Sequence, residues 1–408
     1  MLIFKMAWRN VWRNSRRSGI TIAAMTLALF VELLYAGLVQ GLVIGMTEDA
    51  TAYELGDVQV FSEGYLTKPS LYDVVPDHEG IIEKLEGEGY RATERLFGGG
   101  LAASGEFSAG ALFVGIDPVQ DAKTMDLHLA MAEGSWLDNA DPQGVVVGRG
   151  LARTLALELG DEVIVLSQAT DGSIANDLFE VRGILMSVAA GMDRSAVLMT
   201  EDTFRGLMAL PEGAHKIFVR KPLNADLAAA KAVVLSVTGE DDASPRVKTW
   251  KEVSPILAQY IESVSSVIVV LYFIVYVAVG ILILNAMLMA LFERIREFGV
   301  LKAIGYGPGQ VFSMMLFEGF VQACVATLFG VILAAPVMWY MTVYGINVGV
   351  LGGVQMAGMT MPPIWKGHYT LDAVQVPIIM LFMIVFLAVL YPALRAAWLR
   401  PLDAMHHQ

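Results

Sequence analysis

The chain has 408 residues, of which 55% are hydrophobic and only 17% are charged, and its mean hydropathy is +0.56. Globular chains carry about 25% charged residues, so this composition excludes a soluble protein and a disordered one. One cysteine excludes a disulfide scaffold, and a net charge of −13 excludes a nucleic-acid partner. The chain is therefore predicted to be a membrane protein.

The N-terminal region combines a basic flank with the first apolar run. Residues 1–18 contain no acid and five bases, and residues 19–46 carry a single charge, Glu32. About 20 apolar residues cross the hydrocarbon, so 19–46 is predicted to be the first span. A signal peptide cleaved near Ala50–Ala52 is the alternative, but the run of 28 residues is far longer than the ~7–15 of a signal peptide. The bases are Lys5, Arg9, Arg13, Arg16 and Arg17.

Two features of the first span predict helix–helix contacts. A carboxylate in hydrocarbon is costly, so Glu32 is expected to be protonated or hydrogen-bonded, with Asn285 or Gln322 as its partner on another span. Gly37, Gly41 and Gly45 recur every four residues and share one helix face. Small residues let a second backbone approach closely, which predicts a seam for a dimer or for packing of another domain.

Residues 47–262 form a separate region with 35 acidic and 17 basic residues, a net charge of −18. The segment is long enough to build its own core, and its pattern is mixed α/β. The acidic surplus keeps an exported domain soluble, and a site for a cationic ligand is the alternative. Strands are predicted at Asp57–Phe61, Gly144–Val147, Glu162–Leu166 and Phe179–Val181, a hairpin turn at Asp171-Gly172, and helices at Gly80–Gly87, Arg149–Leu159 and Asn224–Val237.

Catalytic motifs are absent from the sequence. It has no G-x-x-x-x-G-K-[ST] phosphate loop and no G-x-S-x-G, and His78-Glu79 lacks the second histidine of a zinc protease helix. Gly148-Arg149-Gly150 has Arg153 where a dinucleotide loop needs its third glycine. The chain is predicted to be non-catalytic, without a metal or cofactor of its own.

Three further apolar runs complete a four-span layout: 263–292, 311–344 with Glu318, and 376–394. The intervening residues 345–375 contain several glycines and Pro362-Pro363, which favours a loop, with a re-entrant segment as the weaker alternative. Arg294, Arg296 and Lys302 lie in 293–310, and Arg395 and Arg400 lie in the tail 395–408. Basic residues favour the cytoplasmic side, which places both termini and 293–310 there.

Ser254-Pro255 is a good helix start, because Ser caps and Pro suits the first helical turn. A helix from Pro255 to Phe292 would have 38 residues. Its length of about 57 Å exceeds the ~30 Å of hydrocarbon, so the part from about residue 255 is predicted to project as a stalk. A stiff helix of this kind can pass motion across the bilayer.

Residues 293–310 alternate charge with Ile295, Phe298, Leu301 and Ile304, which recur every three residues. This pattern predicts a short amphipathic helix that Gly305 ends at the membrane surface. An interfacial anchor and a docking helix for a cytoplasmic partner are both consistent with it. Glu318 either reaches the interface or bonds this helix, and the second option is favoured.

The block ERIREFGVLKAIGYGPGQVFSMMLFEG at 293–319 resembles the signature of FtsX-like permeases, the MacB/LolCE-type membrane subunits of ABC transporters. Other parts of the chain resemble the same family. They are AWRNVWRNSRRSGIT, DVQVFSEGY, GVVVGRGLARTLALELGDEVIVL and YPALRAAWLRPLDAM. The order of one span, a large domain and three spans also fits the family.

The resemblance implies a four-helix transmembrane region with a large mixed α/β extracytoplasmic domain, the MacB-like periplasmic core, between spans one and two. Residues 1–18 would be an amphipathic N-terminal helix, and a β-rich insert would lie at about 130–195 of the porter-like domain. ATP would be bound by two copies of a separate cytoplasmic ATPase, and a second permease chain, identical or related, would complete the dimer. The implied ATPase-coupling residues are Arg294, Arg296, Glu297, Phe298, Gly299, Leu301, Lys302 and Gly305.

The resemblance further implies a multi-pass protein of the bacterial inner membrane, in contact with membrane lipids. Because the layout has four spans and no fused ATPase, release of lipoprotein or other lipid-anchored cargo is favoured. One alternative is a signalling or efflux-type permease that acts on an extracytoplasmic effector such as a cell-wall hydrolase. A membrane-anchored sensor without an ATPase is the alternative from another class.

Overall fold

The computed structural model describes residues 8–9, 11–13, 15–186, 190–239, 245–347, 355–356, 359–360 and 364–398. Lys5, Arg400 and most of the predicted tail 395–408 lie outside the described residues. The chain divides into two compact units. The helical unit comprises Met1–Ile44, Glu262–Val348 and Ile364–Gln408, and the outer unit comprises Gly45–Ile261 and Gly349–Pro363.

The helices are numbered here in chain order. They are α1 Ser15–Ala50, α2 His78–Gly87, α3 Pro118–Thr124, α4 Arg149–Leu155, α5 Ala190–Ser195, α6 Glu201–Met208, α7 Leu227–Thr238, α8 Trp250–Val253, α9 Pro255–Glu293, α10 Ile295–Ala303, α11 Pro308–Val343 and α12 Leu371–Trp398. A π-helical turn, Thr51–Leu55, and a 3₁₀ turn, Leu127–Leu129, add to them.

Within the described residues, α1, α9, α11 and α12 are long and apolar enough to cross a membrane. Three of the four predicted spans lie inside these helices, and the third ends one residue early, at Val343. Buried residues from all four helices form one hydrophobic core in the helical unit. Tyr276 Oη donates to the Pro377 carbonyl at 2.7 Å, so α9 is also tied to α12 by a buried hydrogen bond.

The region 345–375, which was predicted to be a loop, contains two short pairs of β-strands. Ile346–Asn347 pairs with Ile364–Trp365, and Gln355–Met356 pairs with Met359–Thr360, both antiparallel. The last helix begins at Leu371, so the connection is shorter than predicted.

The outer unit contains ten strands: β1 Val58–Phe61, β2 Arg91–Ser104, β3 Phe107–Ile116, β4 Met131–Gly134, β5 Gly144–Val147, β6 Glu162–Gln168, β7 Ile174–Leu185, β8 Ala196–Thr200, β9 Lys216–Arg220 and β10 Arg246–Thr249. They form one sheet of order β10-β1-β9-β2-β3-β8-β5-β7-β4, and β6 pairs with β2 and β7. The pairs β3·β8 and β5·β7 are parallel and the others are antiparallel. One core lies between β1, β9, β10, α2 and α7, and a larger one lies under β2, β3 and β5–β8 with α4 and α6.

Local predictions in the outer unit were confirmed where alternation or turn chemistry was strong. The strand Gly144–Val147 is as predicted, and Gly172, with φ +84°, turns the hairpin between β6 and β7. The helix predicted at Arg149–Leu159 is wrong at its end, because Ala156 adopts a left-handed conformation and stops α4 at Leu155. Leu157 donates to the Ala152 carbonyl and turns back into the core, so the helix ends four residues before the predicted boundary.

Candidate functional site

The helix α10 contains most of the residues for which the family resemblance implies a role in ATPase coupling. Its inner face is formed by Ile295, Phe298 and Gly299, which are buried. Phe298 is only 1% exposed and belongs to the same core as the four long helices. Leu301 is partly buried against that core. The apolar side of α10 therefore packs on its own chain, and Phe298 and Gly299 hold the helix in place.

A buried ion pair fixes the start of α10. Arg294 Nη1 donates to Glu318 Oε2 at 3.0 Å, and Arg294 Nε donates to Glu297 Oε2 at 3.0 Å. The guanidinium also lies 5.3 Å from the centre of the Phe298 ring. Glu318 is 3% exposed, so this carboxylate is satisfied inside the protein and does not reach the surface. The predicted contact between Glu318 and the amphipathic segment is present.

Two arginines of the N-terminal region make further ion pairs around α10. Arg13 pairs with Glu297, and Arg17 pairs with Glu293 at the end of α9. Burial opposes ionisation of Glu297, but hydrogen bonds from Arg294 and Arg13 outweigh it and lower the pKa of this carboxyl. From the sequence, Arg13 and Arg17 were interpreted only as part of the basic flank that predicts the cytoplasmic side. Their spacing of four residues, which puts them on one helix face, is the signal that was missed.

The end of α10 is tied to the last long helix. Lys302 Nζ donates to the Ala397 carbonyl of α12, and burial lowers the pKa of this lysine. Gly305 follows with φ +104°, a backbone conformation that suits glycine, and is exposed. The helix is thus held at its start by Arg294 and at its end by Lys302.

The remaining side of α10 and the residue that follows the helix are exposed, and together they are called here the outward face: Arg296, Val300, Ala303 and Ile304. Val300 is 53% exposed and Ile304 is 71% exposed. Residues four and seven or eight apart share a helix face, so these side chains lie together. Ile304 follows the end of α10 at Ala303 and is exposed, whereas Ile295 and Phe298 of the same three-residue repeat are buried.

Glu32 is buried at 3% exposure in the first span. Asn285, one of its two predicted partners, is exposed, so that contact is wrong. Gln322 is buried, but Glu32 Oε2 has no hydrogen-bond partner in the part of the chain that the structure describes.

Two of the three glycines on the first span accommodate the segment before α12. A Cβ on Gly37 would lie 1.9 Å from a ring carbon of Tyr369, and one on Gly41 would lie 1.9 Å from the Lys366 carbonyl oxygen. His368 N also donates to the Gly37 carbonyl at 2.9 Å. A Cβ on Gly45 would meet no atom within 4 Å. The seam at Gly37 and Gly41 is therefore a close contact within the chain.

One group in the described part of the outer unit has the donor set of a metal site. Ligand atoms of His78, Glu94 and Glu201 lie within 4.8 Å of one another. Arg205 Nε, however, donates to Glu201 at 2.6 Å, and its Nη2 lies 3.5 Å from Glu94. Burial and the neighbouring Glu94 raise the pKa of Glu201 to about 7. Arg205 already supplies positive charge at these carboxylates, so the cluster does not fit a divalent cation and acts as a buried ion-pair network.

Family comparisons match both parts of this architecture. The family described as MacB-like periplasmic core domain matches residues 18–237, and the family described as FtsX-like permease C-terminal matches residues 269–401. The lipoprotein-releasing system transmembrane protein LolC of Xylella fastidiosa (strain Temecula1) is 23% identical over 324 residues, 74% of this chain and 75% of that protein. LolC of Neisseria meningitidis serogroup B is 24% identical over 325 residues, 76% of this chain and 75% of that protein.

Solved structures similar to this chain cover extracytoplasmic regions. The periplasmic region of MacB from Actinobacillus actinomycetemcomitans aligns with a TM-score of 0.38 and 16% identity, over 53% of this chain and 98% of that one. The extracellular domain of the ABC-type transporter YknZ from Gram-positive bacteria aligns with a TM-score of 0.34 and 13% identity, over 48% of this chain and 99% of that one. With the two family matches together spanning most of its length, the chain belongs to the FtsX-like ABC transporter permeases that carry a MacB-like periplasmic core domain.

Proposed function

We propose that this permease releases lipoprotein or other lipid-anchored cargo from the bacterial inner membrane, driven by a separate cytoplasmic ATPase. The LolC relatives, named for a lipoprotein-releasing system, support the cargo class because they align over three quarters of both chains. The ATP itself is bound by the partner, and the permease contributes no cofactor. Two ATPase copies and a second permease chain complete the proposed assembly, with both termini in the cytoplasm.

The observation that supports the coupling to an ATPase is that α10 has one buried side and one exposed side. Its inner side is fixed by the buried Phe298 and by the Arg294–Glu318 pair, and its outward face presents Val300 and Ile304 to the surroundings. A surface that binds an ATPase must transmit force without detaching from its own subunit. A helix held by buried contacts on one side and exposed on the other meets both requirements.

The helix α9 supplies the proposed route to the outer side. It runs without a break for 39 residues, a length of about 58 Å against ~30 Å of hydrocarbon. Its first residues belong to the outer unit and its last residue adjoins Arg294. A continuous helix passes a tilt or shift along its length, whereas a broken one absorbs it.

Proteoliposomes that contain the permease and its ATPase test this function. Triacylated lipoprotein in the membrane is the cargo, and both ATP hydrolysis and lipoprotein release are measured. Ser263→Pro breaks α9 by removing a backbone hydrogen bond, at a cost of about 3 kcal/mol or more, and Ser263→Ala is the matched control. The proposal expects ATP hydrolysis to persist in Ser263→Pro while release is lost. Full release by a folded Ser263→Pro variant, or no release by the parent protein, contradicts it.

A second function, activation of an extracytoplasmic protein, is favoured by one observation. The outward side of β2, β6 and β7 carries exposed apolar residues where a solvated sheet would carry polar ones. Leu101 pairs with Leu166, and Ile164 pairs with Leu178, and all four are between 42% and 49% exposed. Exposed apolar patches mark protein interaction sites. Activation of a cell-wall hydrolase by the reconstituted complex, without lipoprotein release, would favour this function over the first.

A further inference from the structure

A cavity of about 560 Å³ in the outer unit has no role in the coupling described above. Its walls are largely apolar and include Leu71, Leu112, Val114 and Phe218. This volume falls within the range of about 300–1,000 Å³ that small-molecule sites occupy. The cavity is also lined by two charged groups of opposite sign, Lys216 and Glu54, and by the guanidinium of Arg95.

The two cationic side chains that line the cavity, Arg95 and Lys216, differ in their ion-pair and hydrogen-bond partners. Arg95 is 1% exposed and is neutralised by Asp121, which accepts from its Nε at 2.8 Å and from its Nη2 at 3.1 Å. Lys216 Nζ instead lies over the rings of Tyr65 and Phe97, at 5.8 and 5.5 Å from their centres. Within the described residues Lys216 forms no ion pair and no side-chain hydrogen bond. Burial lowers its pKa, although the nearby Glu54 opposes this effect.

We propose that this cavity binds an amphipathic anion, with the acid group on Lys216 and the apolar part against the surrounding walls. Among the described residues no carboxylate lies within ion-pair distance of this ammonium, so the carboxylate or phosphate of a ligand would supply an acceptor for its N–H groups. Glu54 lines the same space, and its ionised form would compete with the acid group of the ligand for Lys216, although burial raises the pKa of this carboxyl.

One wall shows where the ligand's apolar part would lie. Gly99 is exposed on β2 at the cavity, two residues from Phe97 and therefore on the same side of the strand. A Cβ at Gly99 would meet no atom within 4 Å. A methyl group at this position would therefore meet no obstruction, and a larger side chain would extend from it into the cavity.

The test uses the full chain in lipid nanodiscs and equilibrium dialysis with radiolabelled octanoate and octyl phosphate. Octanol and octylamine serve as the neutral and cationic counterparts of equal chain length. Lys216→Met is expected to weaken binding of the anions at least about tenfold, because a charge-assisted hydrogen bond is lost. Lys216→Arg should retain binding, and Lys123→Met, at an exposed lysine of the same unit, should leave it unchanged. Tighter binding of octanoate would identify the natural ligand as a fatty acid. Tighter binding of octyl phosphate would identify it as a phospholipid fragment.

Two further variants keep the outcome decisive if Lys216→Met folds poorly. Gly99→Leu should block both anions by filling the cavity, and Glu54→Gln should bind them more tightly because a repelling charge is removed. Octanol or octylamine binding that Lys216→Met weakens as much as octanoate binding would overturn the proposal. Weaker anion binding in Glu54→Gln would also overturn it, because Glu54 would then favour binding of the anion and not compete with it.

Discussion

Arg294 Nη1 donates to Glu318 Oε2 at 3.0 Å, and this contact joins the start of α10 to the interior of α11. Both side chains are largely buried, at 12% and 4% exposure. A buried ion pair contributes little net stability over apolar residues, but it is costly to break from one side. The pair therefore fixes the position of α10 more than it stabilises the protein as a whole.

The first prediction follows from this pair. Glu318→Leu removes one of the two carboxylates that accept from the Arg294 guanidinium and leaves Glu297 as the other, and we expect the free energy of unfolding to fall by about 1.5–3 kcal/mol. The double variant Arg294→Met with Glu318→Leu removes both charges and should recover most of that loss. Unfolding in mixed micelles of increasing SDS content measures both. Additive losses in the double variant would show that the two residues do not act as a pair.

The glycines of the first span provide a prediction with a built-in control. A Cβ on Gly41 would lie 1.9 Å from a carbonyl oxygen, so Gly41→Ala must displace backbone and should cost about 1–3 kcal/mol of unfolding free energy. Gly45→Ala places the same methyl group on the same helix in open space and should stabilise the protein by about 0.5–1 kcal/mol. Equal stability of the two variants in SDS unfolding would disprove the close contact at Gly41.

The network of Glu94, Glu201, His78 and Arg205 predicts that the folding stability of the outer unit depends on pH. The pKa of Glu201 is raised from 4.5 to about 7, so its protonated form is favoured by folding, and that stability is lost as pH rises from about 4.5 to 7. The pKa of His78 is raised too, because its hydrogen bond to Glu94 outweighs the effect of burial, and this adds a loss above about pH 6.5. Glu94 has a lowered pKa despite its burial, and its contribution is lost only below about pH 4.5.

Thermal unfolding of the full chain between pH 5 and 8 measures this dependence. We expect stability of the outer unit to fall by roughly 1–3 kcal/mol over that range, in proportion to the shift of Glu201. Glu201→Gln, which cannot ionise, should flatten most of the slope. A parental slope in Glu201→Gln would assign the effect to other groups.

Helices and turns that are determined by neighbouring residues were predicted correctly from the sequence. The long helices α1, α9, α11 and α12 follow from apolar composition, and the hairpin turn at Gly172 follows from its Asp-Gly pair. The end of α4 at Leu155 could not be read locally, because the left-handed Ala156 is imposed by the core around Leu157.

Most contacts between residues that are distant in the sequence were not predicted. The β2–β3 hairpin includes Gly98–Gly100, residues that disfavour a strand in isolation. The pairs Arg13–Glu297 and Arg17–Glu293 join residues more than 270 positions apart, and nothing in the local pattern selects those partners. The contact between Glu318 and the amphipathic segment, one of the two options that the sequence left open, joins residues only 24 positions apart.

The orientation of the chain in the membrane is a further prediction. Lys68 and Ala303 are both exposed, and the bias of basic residues places the first outside and the second in the cytoplasm. In a Cys324→Ser background, a cysteine at 68 should react with a membrane-impermeant thiol reagent in intact spheroplasts. A cysteine at 303 should react only after lysis. Labelling of both positions in intact spheroplasts would refute this orientation.

The central claim is that the outward face of α10 binds the ATPase and does not serve as an interfacial anchor. Val300→Cys and Ile304→Cys, each labelled with bimane in the Cys324→Ser permease in nanodiscs, test it directly, with Leu223→Cys as an exposed control in the outer unit. Addition of the ATPase should protect positions 300 and 304, but not 223, from quenching by aqueous iodide, and brominated lipids should quench neither before addition. Quenching of 300 and 304 by brominated lipids, with no protection by the ATPase, would contradict the account.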